Sequence, residues 1–142
     1  MDKIAVIYWS GTGNTEAMAD KVAEGIEAAG ATADKYFVTD FSMDKVDDYD
    51  KFAFGCPSMG SEVLEEGDFE PFFTEIEGKL KGKKVALFGS YGWGDGEWMR
   101  DWEDRVRDAG ATLYDEGLII NETPDEDGEA DCVAHGKGFA QF

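Results

Sequence analysis

The chain is short of positive charge: 13 Lys and Arg stand against 32 Asp and Glu, for a formal net charge of -19. That balance excludes nucleic-acid binding, which needs cations along a phosphate backbone, and equally excludes an anionic membrane surface as partner. The two cysteines, Cys56 and Cys132, have no metal-ligand spacing, and in a reducing compartment they read as small, partly buried hydrophobes. The single histidine, His135, has no Ser–Asp or Cys partner pattern around it and reads as a surface or packing residue in the last helix. Neither HExxH nor CxxC occurs, so no protein metal or iron–sulfur site is expected. No run approaches membrane-spanning length and the N-terminus leads directly into a strand pattern, which predicts a cytoplasmic protein without a signal peptide.

What is present suits one folded domain spanning 1–142, with 42% hydrophobic and 13% aromatic residues. The pattern alternates strands and helices. Strands are predicted at Ile4–Trp9, Ala31–Val38 (weaker, nearer an edge), Lys51–Cys56, Lys83–Phe88 and Ala111–Ile120, the last interrupted near Asp115 and Gly117. Helices are predicted at Asn14–Ala29, Glu70–Leu80, Glu97–Ala109 and Asp125–Gln141, with a polar turn or short helix at Asp44–Asp50. Gly128, Gly136 and Gly138 weaken the propensity of the last one. Such alternation predicts an α/β fold, a parallel sheet between two helical layers with right-handed crossovers. Ligands in that architecture bind beyond the carboxyl ends of the strands.

Three loops occupy that end. The first contains Trp9, Ser10, Gly11, Thr12, Gly13, Asn14 and Thr15 between a strand and a helix, without Lys or Arg. It lacks the third glycine of a dinucleotide fingerprint and the Lys of a Walker loop. Its hydroxyls, amide and backbone N–H groups suit a terminal phosphate monoester, although an ordinary N-capped turn has the same composition. In the second, Pro57, Ser58, Met59, Gly60, Ser61 and Glu62, the Met either tethers the loop or lies flat against a ring. Gly60 permits its peptide to rotate, and Glu62 is an acceptor for a ring imide. In the third, Gly89, Ser90, Tyr91, Gly92, Trp93, Gly94, Asp95 and Gly96, the Trp either plugs a surface hole or stacks on a planar ligand. Together the loops point to a phosphorylated flat heterocycle.

These motifs resemble those of the short-chain flavodoxins of anaerobic bacteria, along essentially the whole chain. The resemblance implies a three-layer doubly wound sheet of five parallel strands in the order 2-1-3-4-5, and one non-covalent FMN. It implies that Ser10, Thr12, Asn14 and Thr15 bind the phosphate together with loop amides, Gly11 and Gly13 included. Met59 would cover the inner flavin face and Trp93 the outer one. The Gly60 carbonyl would accept N5–H of the semiquinone after a peptide flip, and Glu62 would bond the N3 edge. The backbone of 89–92 would approach the pyrimidine side, and Asp95 of the same loop would be among the cofactor-binding residues. Ser61 stands where this branch often has an acid, which leaves the potential open. The implied function is a low-potential one-electron carrier cycling between semiquinone and hydroquinone, not a substrate-converting enzyme; the alternative is a small quinone or nitroreductase, which needs a substrate cavity over the flavin and usually a dimer. Expected partners are redox proteins with basic docking faces, such as flavin or iron–sulfur oxidoreductases, met by a monomer.

Charge placement supports a directional field. Glu62, Glu65, Glu66, Asp68, Glu70, Asp95, Glu97, Asp101 and the acids from Glu122 to Asp131 follow strands, whereas Lys3, Lys51, Lys83 and Lys84 precede them. The expectation is a negative active end and a less negative base.

Overall fold

The computed structural model describes residues 3–142, so Met1 and Asp2 lie outside it. Strands β1 (Lys3–Tyr8), β2 (Thr32–Phe37), β3 (Lys51–Gly55), β4 (Lys84–Tyr91), β5 (Thr112–Leu113) and β6 (Leu118–Asn121) alternate with helices α1 (Asn14–Ala28), α2 (Phe69–Glu77), α3 (Glu97–Asp108) and α4 (Glu126–Ala140). All pairings are parallel and the sheet order is β2-β1-β3-β4-β5, with β6 also paired to β4. β5 and β6 are the two halves of the interrupted fifth strand. The break falls where Asp115 takes a left-handed conformation, φ 52°. β2 is the edge, as its half-exposed pattern predicts. None of the helices among the described residues is long and apolar enough to cross a membrane.

Strand periodicity assigns the two faces. Ile4, Val6 and Tyr8 point to one layer with Met18, Val22 and Ile26 of α1 and Cys132 and Phe139 of α4. Ala5 and Ile7 point to the other, with Phe69, Phe73 and Ile76 of α2 and Trp98, Trp102 and Val106 of α3. The second layer is filled by aromatics in edge-to-face contact, such as Phe54 on Phe73 at 5.5 Å and Phe73 on Trp102 at 5.7 Å. Both cysteines are buried free thiols. Burial pushes Cys132 up to about 12 and raises Cys56 as well, so both stay protonated and pack as hydrophobes.

The glycines that weaken α4 as an isolated helix are what allow it to pack. A Cβ on Gly136 would lie 2.1 Å from the Val22 carbonyl oxygen of α1, and one on Gly25 would lie 2.0 Å from the Val133 carbonyl oxygen of α4. The two helices meet backbone to backbone through this reciprocal pair. Lys51, buried at the foot of the sheet, donates to the Phe139 and Ala140 carbonyls at the end of α4, at 3.4 and 3.0 Å. A cation there satisfies terminal carbonyls and complements the helix dipole.

The largest departure from the sequence pattern is β4. Its predicted end is Phe88, yet it runs to Tyr91, because β6 pairs with Phe88–Tyr91 and prolongs the ladder. Ser90 and Tyr91 therefore stand on a strand, and the third loop begins at Gly92. Helix α2 is shorter than predicted and stops at Gly78, with Leu80 buried beyond it.

Two outcomes are expected from this packing. Gly136→Ala should destabilise the protein by about 1–3 kcal/mol in urea unfolding, because the helix pair must separate despite the roughly 1 kcal/mol gain in helix propensity; an unchanged midpoint would refute the close contact. His135 is buried, its Nε2 is 3.1 Å from the Leu87 carbonyl, and burial lowers its pKa from the ordinary value. Its neutral form therefore contributes stability above the unfolded-state value of about 6.5 that is lost as pH falls through the lower folded-state value. The stability difference between the parent and His135→Gln should accordingly shrink between pH 7.5 and 5, as measured by denaturant titrations.

Candidate functional site

At the carboxyl end of β1, Ser10 folds its hydroxyl back over the loop. Its Oγ accepts from Gly13 N at 3.1 Å and Glu16 N at 3.2 Å. Gly13, at φ 97°, is the residue from which α1 starts. Among the described residues, the N–H groups of Ser10, Gly11, Thr12, Asn14 and Thr15 have no protein acceptor. The loop is thus both readings at once: Ser10 caps the turn, and the capped turn presents a ring of free donors at a helix N-terminus.

A cavity of about 320 Å³ opens beside this cradle. Trp9, Gly11, Thr12 and Asn14 form its first side, Pro57, Ser58 and Met59 its second, and Ser90, Tyr91 and Gly92 its third. No Lys or Arg lines it. Ten residues predicted for the site therefore meet at one cavity. Ser10, Gly13, Thr15, Gly60, Glu62, Trp93 and Asp95 are not part of its wall. Of these, Thr15 is buried and its Oγ1 accepts from Ser90 N at 3.4 Å, tying α1 to β4. Gly60, at φ 53°, tops a small hairpin closed by Met59 N to Val63 O at 2.8 Å and Val63 N to Met59 O at 2.9 Å.

Trp93 is 61% exposed and Met59 38% exposed. Met59 lines the cavity and Trp93 directly follows the wall residue Gly92; apolar side chains this large and this bare are what a planar ligand would cover. A Cβ on Gly92 or Gly60 would meet nothing within 4 Å.

Glu62 has a structural task of its own beside the ring-edge acceptor role that the resemblance implies. Its Oε1 accepts from Gly96 N at 3.3 Å and Glu97 N at 3.1 Å, capping α3. It thereby ties the Met59–Val63 hairpin to the foot of the Trp93 loop. Arg100 holds the same loop from the other side, donating to the Asp95 carbonyl at 2.9 Å and its carboxylate at 3.1 Å.

The wall also includes Glu122 and Thr123, which the sequence patterns placed only in an acidic segment. Glu122 is left-handed, at φ 56°. Its N donates to Tyr91 O and its carbonyl accepts from Ser90 Oγ, both at 2.8 Å. Thr123 Oγ1 donates to Asn14 Oδ1 at 2.8 Å. The available signal was the turn-prone Asn121-Glu122-Thr123-Pro124 directly after an apolar run, at the ligand-bearing end of the sheet.

The acidic rim is thinner than the residue count implied. The Glu65 carboxylate accepts from Gly67, Asp68 and Phe69 N–H at 2.8 Å and caps α2. Glu70 is paired with Arg105 at 2.7 Å, and its pKa is lowered: burial pulls it upward but is outweighed by the bonds to Arg105 and Thr74. Asp125 caps α4 through Gly128 N. Glu66, Asp68, Glu97, Asp101, Glu122, Glu126, Asp127, Glu129 and Asp131 carry side-chain charges without such partners among the described residues.

Comparison with known proteins gives a consistent picture. The family model described as Flavodoxin matches residues 6–136. The flavodoxin of Clostridium beijerinckii is 50% identical over 96% of this chain and 99% of its own length, and that of Megasphaera elsdenii is 52% identical over 97% and 98%. The solution structure of two-electron reduced Megasphaera elsdenii flavodoxin superposes with a TM-score of 0.89, covering 98% of this chain and 99% of that one at 49% identity.

The Glu62 cap has a measurable weight. Glu62→Ala should cost about 1 kcal/mol in flavin-free protein, and Glu62→Gln, which keeps an acceptor, less than half of that. Equal stability of the Ala variant and the parent in urea would show that the cap contributes nothing.

Proposed function

Because the chain belongs to the flavodoxin family, whose members are electron carriers that bind FMN, we propose that it carries single electrons at low potential with FMN held across the cavity just described. The observation that carries this reading is the juxtaposition of a cation-free cradle of N–H donors with two bare apolar side chains. FMN, when bound, supplies the redox centre. The residues present fit it: Ser10, Thr12, Asn14 and Thr15, with the free N–H groups of the first loop, would hold the phosphate. Met59 and Trp93 would cover the two faces of the ring, and Tyr91 and Gly92 would flank it. Gly60 and Glu62 would address its polar edge, and Asp95 would stay in the loop that Arg100 grips.

The chain's own residues set the potential. Neutral donors leave the phosphate charge uncompensated. Apolar cover withholds water from a ring that becomes anionic on full reduction, which penalises the added charge. A carboxylate about 10 Å away in high dielectric opposes an added electron by roughly 0.4 kcal/mol before salt screening. Several of the unpartnered rim acids together supply on the order of 1–2 kcal/mol, or tens of millivolts for one electron at about 60 mV per 1.4 kcal/mol.

The same rim directs the exposed ring edge toward redox proteins that present basic docking faces. The protein acts in this reading as a monomer, a single domain spanning 1–142, in the cytoplasm. It passes electrons between oxidoreductases and converts no substrate of its own.

A potentiometric titration of FMN-loaded protein tests the proposal. The lower of the two one-electron couples should lie well below that of free FMN and rise toward it in Trp93→Ala. Couples matching those of free FMN, or steady NAD(P)H oxidation by the protein alone, would overturn it.

A further inference from the structure

The bond between Thr123 and Asn14 joins residues 109 positions apart, at the rim of the phosphate cradle. Its direction matters chemically. A carboxamide has a donor end and an acceptor end, and only the donor end is compatible with an anion. Thr123 Oγ1 donates to Asn14 Oδ1, so the acceptor end is occupied. The Nδ2 donors of Asn14 have no protein partner among the described residues, and Asn14 lines the cavity.

Thr123 is itself held in place. It follows Glu122, whose left-handed backbone at φ 56° is rare for a non-glycine residue. That conformation is pinned from two sides, by Glu122 N on Tyr91 O and by the hydroxyl of Ser90 on the Glu122 carbonyl. Ser90 is only 4% exposed. The turn is therefore fixed to β4, and the Thr123 hydroxyl reaches from it to the cradle.

We propose that Thr123 is a positioning residue for phosphate recognition: by occupying Asn14 Oδ1 it turns the amide so that its N–H groups, and not its carbonyl, face the anion. Without the hydroxyl the amide is free to rotate and present oxygen to oxygen. The inference rests on the phosphate of FMN sitting in the first loop. It assigns to the last turn of the chain a role in distinguishing a phosphorylated flavin from an unphosphorylated one.

The test compares ligands that differ only in the phosphate. Dissociation constants for FMN and riboflavin are measured by flavin fluorescence quenching on flavin-free parent, Thr123→Ala, Thr123→Val and Thr123→Ser. Competition by inorganic phosphate is measured alongside. The Ala and Val variants should bind FMN about tenfold more weakly, the scale of one hydrogen bond to a charged group. Riboflavin affinity should change by less than about twofold, and inorganic phosphate should compete less well. Thr123→Ser should restore the parent values.

Asn14→Ala should by itself reduce the preference for FMN over riboflavin, and adding Thr123→Ala to it should cost nothing more. Equal weakening of FMN and riboflavin, unaltered FMN binding, or additive losses in the double variant would each overturn the assignment. Thr123→Val keeps the side-chain volume, so the Val–Ser comparison stands even where the Ala variant fails to fold. A parent that binds inorganic phosphate but no FMN would refute the flavin reading, while the phosphate affinities of the variants still decide the role of Thr123.

Discussion

The ligand end of this molecule depends on the extension of β4 through Ser90. That residue is buried, and all three of its polar groups bind different segments. Its N–H donates to Thr15 at the head of α1, its carbonyl accepts from Ser58 N at 3.0 Å, and its hydroxyl donates to the Glu122 carbonyl. Three loops that are distant in sequence are thereby registered against one strand. Buried polar groups demand partners, and here the partners are the walls of the site. The residue thus spaces the walls of the cavity that it also lines, with its hydroxyl proton already placed. A preorganised site on a strand holds its geometry more tightly than one on free loops.

The second and third loops use another device. Neither has a core of its own, and the glycines at 92, 94 and 96 leave the Trp93 segment with little intrinsic shape. Glu62 and Arg100 anchor the far end of that segment at the N-terminus of α3, leaving Trp93 itself exposed. The hairpin bearing Met59 is linked to the same helix through Glu62. Anchoring at the hinge, with freedom at the tip, lets an aromatic side chain settle on a planar ligand without the loop losing its place. The acid at 62 also complements the α3 dipole, so its charge is partly answered by the protein.

Much of this was legible in the sequence, for identifiable reasons. Apolar runs such as Ile4–Tyr8 and Lys51–Gly55 are buried on both faces, so continuous hydrophobicity identified them as central strands. The first loop was recognisable because its chemistry is local: backbone donors and hydroxyls within six residues. What remained hidden was non-local. The length of β4 was decided by pairing with β6, some thirty residues later, and no local signal in Gly89-Ser90-Tyr91 distinguishes strand from loop. Glu122 and Thr123 looked like part of an acidic tail because their partners, Ser90 and Asn14, come from other segments. Gly136 looked like a defect until Val22 was placed against it. Glu65 and Glu70 looked like rim charges because capping and pairing cannot be read from composition.

The distribution of charge follows from the same architecture. Lys51, Lys83 and Lys84 each donate to a backbone carbonyl at the foot of the sheet, to Phe139 and Ala140, Tyr49 and Phe142 respectively. Strands of five to eight residues at about 3.3 Å per residue put those cations roughly 15–25 Å from the cradle. That is about two to three Debye lengths at physiological salt, so their field at the cradle is largely screened. In the proposed reading the first loop, with its N–H groups and hydroxyls, would bind an anion by hydrogen bonding and by the dipole of α1, without adding a full positive charge beside the ring. A lysine in that loop would strengthen the phosphate contact, yet it would also stabilise every electron added to the ring. Neutral recognition separates holding the cofactor from setting its potential. The surrounding carboxylates can then lower that potential without opposition from a cationic anchor.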